Sequence, residues 1–184
     1  MDVGTAETRA LDAAEDLFYR RGVHAVGMAD IRDAAGVSLK RLYQLFPSKE
    51  QLVTAFLRRR DGSLRASLAA HVDRRQDPDQ RILAVFDWLR KWFAEPSYRG
   101  CAWVNLFGEL GATSPAVAEE ARLHKDAMLG YLRELAAAAG RPTELADQLL
   151  LLVEGAITMA AITGSEAPAL RARAAAATLL DASR

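Results

Sequence analysis

The stretch AAGVSLKRLYQLFPSKEQL, residues 34–52, constrains the fold of this chain more than any other. Two short segments have helical apolar spacing. The first, residues 28–35, overlaps the start of this stretch, and the second, residues 38–45, lies within it. Between them, Gly36 can adopt the positive φ that a tight turn needs, and Ser38 can cap the second segment. Two short helices joined by a glycine-containing turn form the geometry of a helix-turn-helix, whose second helix enters the major groove of DNA.

The second helix of this motif has a distinct outer face. Leu42 and Phe46 lie one turn apart and face inward, which leaves five side chains pointing away from the core: Leu39, Lys40, Arg41, Tyr43 and Gln44. Arg and Gln can make bidentate contacts to base edges, while Lys and a Tyr hydroxyl can hold phosphates. Lys49 lies in the first turn of the next helix, where free amides attract a phosphate. From the spacing alone, a solvated cationic face on a short helix is the alternative.

The rest of the chain has the composition of helices. Segments rich in Ala, Leu, Arg and Glu recur, and β-branched residues nowhere alternate with polar ones over a strand length. We therefore predict an all-α fold of about nine helices, made of an N-terminal three-helix head and a C-terminal helical bundle. Glycine, proline and capping signals place them near residues 5–21, 28–35, 38–45, 48–72, 77–94, 102–110, 114–139, 143–162 and 166–182.

Residues 8–53 resemble the N-terminal DNA-binding region of the TetR family of transcriptional regulators. The resemblance lies in AAEDLF, RRGV, the segment 31–37, the pair Leu42-Tyr43 and FPSKE at 46–50. It implies a helix-turn-helix DNA-binding domain over residues 1–50 and a ligand-binding and dimerisation domain over residues 51–184. It also implies that phosphates are held by Ser38, Tyr43 and Lys49, and that bases are approached by Leu39, Lys40, Arg41 and Gln44.

Three positions depart from the family pattern. Gly27 stands where the family usually has Thr or Ser as the helix cap and phosphate ligand, so only a backbone amide remains there. Arg32 replaces a usual small residue, and Leu45 replaces a usual His or other polar residue. These changes do not alter the predicted fold, and they leave the operator sequence undetermined.

A broad apolar stripe runs along the helix near residues 143–162 and is wider than one side of a small domain requires. The segment LLLVEGAI also resembles the penultimate helix of many TetR-family members, which pairs with the last helix in a four-helix dimer interface. A central core helix of a monomer is the alternative. We predict a homodimer whose interface includes Leu149, Leu152, Val153, Gly155, Ala156, Ile157 and Ala160.

Aromatic side chains are dense between residues 86 and 107, and ligand cavities are mostly apolar with a few converging polar groups. The resemblance implies a small-molecule inducer, which this lining would make largely apolar. Each of these side chains, taken singly, can instead be an ordinary structural residue. We predict that the inducer contacts Trp88, Trp92, Trp103, Asn105, Phe107, Glu109 and Tyr131, with His124 as a further polar candidate.

Other classes of protein find little support. The three histidines are scattered, and Cys101 is the only cysteine, so we expect no metal site and no cofactor. Cys101 is a small buried thiol or, if a cation stabilises its thiolate, a redox sensor. No phosphate-binding glycine loop and no Ser, His and Asp grouping stands out, so we expect no enzyme.

Charge and hydropathy are equally restrained. The 24 Lys and Arg residues balance the 24 Asp and Glu residues, so the net charge does not indicate a nucleic-acid or membrane partner. A single cysteine fits a reducing compartment. The most apolar run, residues 149–162, is shorter than the roughly 20 residues that span a bilayer. We therefore expect a cytoplasmic protein without a membrane partner.

Together these features predict a dimeric one-component regulator. We expect a repressor that binds a palindromic operator in double-stranded DNA and releases it when an inducer enters the C-terminal domain. One alternative is an all-helical small-molecule-binding protein of the same fold that has lost specific DNA binding. A small helical enzyme is the other, and the missing catalytic grouping disfavours it.

Overall fold

The computed structural model describes residues 2–183. Within that range the chain forms nine helices and no strand, so the all-α prediction is confirmed. The helices are α1 (Val3–Arg21), α2 (Met28–Ala35), α3 (Leu39–Leu45), α4 (Lys49–Val72), α5 (Pro78–Phe93), α6 (Ala102–Leu110), α7 (Pro115–Ala138), α8 (Glu144–Thr163) and α9 (Ala167–Ala182).

Side-chain caps and one left-handed glycine set several of the helix ends. Ser38, Ser48 and Asp77 each accept a hydrogen bond from the backbone amide three residues on, at 3.2, 3.1 and 2.8 Å. Gly36 ends α2 with φ at 62°, a conformation that a residue with a Cβ adopts only under strain. Gly27 lacks a capping side chain, and the carboxylate of Asp30 accepts a hydrogen bond from its amide at 2.7 Å.

The chain divides into two compact units. One contains the chain up to Gly62 together with Ala102–Arg122, and the other contains Ser63–Cys101 together with the chain from Leu123 onward. Helices α4 and α7 each pass from one unit into the other. The division between compact units does not fall after residue 50, and the functional boundary predicted there stays a prediction.

In the first unit, helices α1, α2 and α3 bury their apolar stripes against one another. Ile31 on α2 and Leu42 on α3 are fully buried, as is Phe56 on α4. Phe18 on α1 lies against Phe56, with 6.3 Å between the ring centroids. The helix-turn-helix therefore has a closed core of its own side chains, completed by the start of α4.

Ion pairs also join α1 to α4. Arg59 contacts Asp12 at 2.7 Å and Glu15 at 3.0 Å, while Arg60 also pairs with Glu15 and lies over the ring of Tyr19 at 4.4 Å. Single exposed pairs of this kind stabilise a fold by about 0 to 1 kcal/mol. Here the pairs share partners and are partly buried, so together they fix α4 against α1.

In the second unit, α5, α8 and α9 pack together around aromatic side chains. The rings of Trp88 and Trp92 lie 5.3 Å apart, and the Trp92 ring meets that of Tyr98 edge-on at 5.1 Å. The Tyr98 hydroxyl donates a buried hydrogen bond of 2.7 Å to the carbonyl of Ile157 on α8. Arg173 on α9 pairs with Asp87 on α5 at 2.9 Å. These contacts make α8 a core helix of its unit.

By length and mean hydropathy, 1.6, α8 also meets the requirement for a membrane span. Core helices of globular proteins pass the same test. Its inward stripe is covered by α5 and α9, as expected of a core helix.

Trp103→Ala should destabilise the protein by about 3 to 5 kcal/mol, because the indole is only 1% exposed and its loss leaves a large cavity. Phe107, on the same helix and 52% exposed, is the matched control, and Phe107→Ala should change stability by about 0.5 kcal/mol or less. Urea unfolding at one fixed protein concentration measures both. Similar losses for the two variants would show that burial does not decide the cost on α6.

Candidate nucleic-acid interface

Helix α3 presents two different faces. Leu42 is fully buried, and Phe46, which follows the helix, is buried beside it. Of the two residues that flank this buried face, Leu39 is 38% exposed and Tyr43 is 45% exposed. Lys40 and Gln44 are exposed as well, and Arg41 is partly exposed. The structure thus places the predicted contact residues of α3 away from the core, and their contacts with DNA stay a prediction.

Two of these side chains interact with each other. The Arg41 guanidinium donates from Nη1 to Oε1 of Gln44 at 3.5 Å, across one turn of α3. Ser38, also predicted as a contact, is exposed, and its hydroxyl oxygen accepts the hydrogen bond from the Arg41 amide. The hydroxyl proton of Ser38 can still be donated to a phosphate.

Sequence reasoning missed a further cation at this surface. A Cβ placed on Gly36 would lie 2.5 Å from Nη2 of Arg9, so the guanidinium on α1 lies directly over the turn between α2 and α3. The absence of a side chain at Gly36 therefore serves two purposes, the left-handed turn and the approach of this arginine. No local spacing links two residues so far apart in the chain, so the sequence carried no signal for this contact.

Lys49 is predicted to hold a phosphate, and in the structure its ammonium contacts residues of the first unit. Its ammonium donates to the carbonyl of Val23 at 2.5 Å and lies 6.0 Å from the centre of the Phe18 ring. Burial lowers the pKa of Lys49 below its ordinary value, and the negative charges of Glu109 and Asp30 oppose that change. Its ammonium is therefore engaged by the turn between α1 and α2, and a phosphate contact requires it to leave that carbonyl.

Glu109 was predicted to line the ligand pocket, and it contacts the turn between α1 and α2. Its carboxylate accepts a hydrogen bond from the amide of His24 at 3.1 Å, and its carbonyl lies 3.1 Å from the imidazole Nε2 of the same residue. The carboxylate also lies against Gly22, where a Cβ would come within 3.0 Å of it. Asn105 and Glu109 line a small pocket of the first unit with room for about one water molecule, together with Phe18, Tyr19, Phe56, Ala102 and Leu106.

The other predicted pocket residues are divided between the two units. Trp103 and Phe107 belong to the first, one buried and one exposed. Trp88 and Trp92 belong to the aromatic core of the second, and the Trp88 indole donates to the hydroxyl of Ser67 at 3.1 Å. Tyr131 is in the second unit as well. A ligand cavity shared by all seven residues stays a prediction.

Tyr131 has an unusual hydroxyl. Its oxygen is buried and has no hydrogen-bond partner within the described residues. Burial raises the pKa of Tyr131, and the nearby carboxylate of Asp73 adds to the effect. Buried hydroxyl groups are normally paired, so this one is the predicted pocket residue whose polar group is still available.

Most of the predicted dimer residues lie inside the chain's own second unit, and their place in an interface stays a prediction. Five of the seven are buried there: Leu149, Val153, Ala156, Ile157 and Ala160. Leu152 is partly exposed and Gly155 is exposed. The outward face of α8 is formed instead by Leu151 and Ile162, each 74% exposed, and by Met159. No described atom lies within 4 Å of a Cβ placed on Gly155.

Cys101 is buried, and the ammonium of Lys125 lies 3.4 Å from its sulfur. The same ammonium pairs with Glu154 at 2.6 Å, so its charge is already balanced.

Among residues 2–183, no group of three or more His, Cys, Asp or Glu side chains is arranged to hold a metal ion.

Two family models match this chain. The model described as "Bacterial regulatory proteins, tetR family" matches residues 10–56, and the model described as "Tetracyclin repressor-like, C-terminal domain" matches residues 78–176. The first match covers the larger part of α1, all of α2 and α3 and the start of α4, and the second covers α5 to α8 and the first part of α9.

Curated relatives are similar over part of their length. The HTH-type transcriptional activator FasR of Mycolicibacterium smegmatis is 42% identical over 83 residues, which are 43% of this chain and 38% of the relative. An uncharacterized HTH-type transcriptional regulator of Mycobacterium tuberculosis is 38% identical over 119 residues, 61% of this chain and 58% of the relative. The chain thus spans between about two fifths and three fifths of the length of these relatives.

Solved structures extend the likeness to the whole chain. A TetR-family transcriptional regulator from Streptomyces coelicolor superposes with a TM-score of 0.88 at 26% identity, over 98% of this chain and 96% of that one. A putative TetR transcriptional regulator from Streptomyces avermitilis gives a TM-score of 0.82 at 32% identity, over 97% of each chain. With both family models matched in order, the chain belongs to the TetR family of transcriptional regulators.

Proposed function

We propose that the chain is a ligand-responsive one-component regulator that binds a palindromic operator in double-stranded DNA as a homodimer. A small, largely apolar inducer releases it, and repression is the proposed direction of its effect. The relative FasR is named an activator, so the direction needs its own transcription assay. The observation that carries the proposal is the outer face of α3.

That face combines two cations with two large, partly exposed apolar side chains. Leu42 and Phe46 close the core behind α3, so packing of the core does not explain why Leu39 and Tyr43 are exposed. Lys40 and Arg41 add positive charge on the same side. Base-reading helices need side chains of both kinds, cations for phosphates and guanines and apolar groups for thymine methyls.

The outward face of α8 supports the homodimer. Leu151, Met159 and Ile162 recur at helical spacing, and the bare Gly155 lies between them, where a second helix can approach closely. Leu170 on α9 is also exposed. Homodimers pair the same surface of each copy, which this self-matching apolar strip allows.

The inducer site is proposed for the predicted residues Trp88, Trp92, Trp103, Asn105, Phe107, Glu109 and Tyr131. Tyr131 is its best-supported polar member, because its hydroxyl is buried and without a partner. Glu109 has a different part in this proposal. Glu109 lies on α6 and accepts a hydrogen bond from the turn between α1 and α2. A shift of α6 therefore alters this turn and, through it, the helix-turn-helix.

A charge-matched pair of variants tests the DNA-binding face. Lys40→Ala combined with Arg41→Ala should weaken operator binding roughly tenfold or more, because it removes a phosphate contact and a bidentate base contact. Arg90→Ala combined with Lys91→Ala removes the same charge from an exposed part of α5, so it should stay within about twofold of wild type. Fluorescence anisotropy, with DNA that the wild-type protein enriches from a random library, measures both. Equal losses would show that only net charge matters.

Variants of the exposed α8 face test the assembly. Gly155→Arg or Leu151→Glu should give a helical monomer without operator binding, because each places a charge at the proposed interface, whereas Ala137→Glu on the exposed side of α7 should leave a dimer. Light scattering at micromolar concentration, with circular dichroism as the folding control, measures the outcome. A wild-type monomer under these conditions contradicts the proposed dimer.

Glu109→Ala should speed amide hydrogen exchange at His24 several-fold, because the amide would lose its side-chain acceptor. Glu119→Ala is the control, since Glu119 is an exposed carboxylate of the same unit that pairs with nearby Arg122. Exchange measured by mass spectrometry on peptides covering residues 22–27 separates the two. Unchanged exchange in the Glu109 variant would rule out α6 as a support of this turn.

A further inference from the structure

We propose that α3 reads one guanine and one thymine in each operator half-site, with Arg41 and Gln44 contacting the guanine and Leu39 contacting the thymine methyl. The proposal rests on the proposed function, because it assumes that α3 lies in the major groove. It goes further by assigning a base to particular side chains.

The contact between Arg41 and Gln44 decides what this pair can recognise. Glutamine reads adenine by presenting Oε1 and Nε2 together, one to the N6 amino group and one to N7. Here Oε1 of Gln44 faces the Arg41 guanidinium at 3.5 Å. This contact engages one lone pair of Oε1 and leaves the N–H donors of the amide and the other donors of the guanidinium available. As a pair, the two side chains therefore present more donors than acceptors.

A surface of donors matches only one base edge well. Guanine offers two neighbouring acceptors in the major groove, O6 and N7, whereas adenine and cytosine each carry an amino group that would meet a donor. Arg41 and Gln44 lie on α3 three residues apart, so they can approach the same base from adjacent turns. The preorganised pair therefore favours guanine.

Leu39 provides the second selective contact. It begins α3 and is 38% exposed, although it has no polar group that water or a phosphate could bind. An apolar side chain at a base edge distinguishes thymine by its C5 methyl group. At 100° per residue, Leu39 and Arg41 lie on opposite edges of the outer face, so the thymine and the guanine occupy different positions of the half-site.

Base analogues in the DNA test both contacts without changing the protein. The full chain first enriches its site from random double-stranded DNA, and each half-site guanine or thymine is then replaced singly. With 7-deazaguanine, which lacks the N7 acceptor, we expect about fivefold weaker binding or more at one guanine. With uracil, which lacks only the methyl group, we expect about fourfold weaker binding at one thymine.

Variants then assign each effect to a side chain. Arg41→Ala and Gln44→Leu should each lose most of the response to 7-deazaguanine and keep the response to uracil. Leu39→Ala should show the reverse. The three side chains lie outside the core, so melting temperatures close to that of wild type serve as the folding control.

The possible failures are distinguishable. An enriched site that tolerates every 7-deazaguanine and every uracil, or a site in which Gln44→Leu abolishes a response to 7-deazaadenine, overturns the base assignment and leaves DNA binding intact. If no sequence is enriched and all DNA binds alike, the proposed function fails, and the base assignment fails with it.

Discussion

The turn between α1 and α2 is held from both sides, and the placement of the helix-turn-helix depends on it. Lys49 on α4 binds the carbonyl of Val23, and Glu109 on α6 binds the amide of the next residue, His24. Hydrogen bonds with one charged partner contribute about 1.5 to 3 kcal/mol each. Because this turn leads directly into α2, these two contacts orient α2 and, through the shared core, the outer face of α3.

The sequence predicted local structure well because local signals determine it. Ser38 and Ser48 cap the helices that follow them, and Gly36 takes the left-handed turn, so the bounds of α2 and α3 follow from neighbouring residues. The contacts of Lys49 and Glu109 join residues 26 and 85 positions apart. Helical periodicity gives the face on which a side chain lies, but it does not give the element that faces it. The sequence therefore could not predict the partners of Lys49 and Glu109.

Helix α8 shows the same limit. Its apolar residues cover more than one side, and the pattern alone does not say which side the chain covers by itself. Because α5 and α9 pack on the stripe through Leu149, Val153 and Ile157, that stripe became core, and the face with Leu151 and Ile162 was left outward. The core interpretation of this helix thus describes its buried stripe, and the interface stays a proposal for its outward face.

The charge of Glu109 on α6 acts on Lys49 in addition to the direct hydrogen bond that its carboxylate accepts from His24. Burial disfavours the ammonium form of Lys49 and lowers its pKa, and Glu109 offsets part of that penalty. Any movement that carried Glu109 away would leave the ammonium with less compensation, while also releasing the amide of His24. Both effects weaken the same turn. Displacement of α6 therefore raises the free energy of the arrangement that holds α2 and α3 in place.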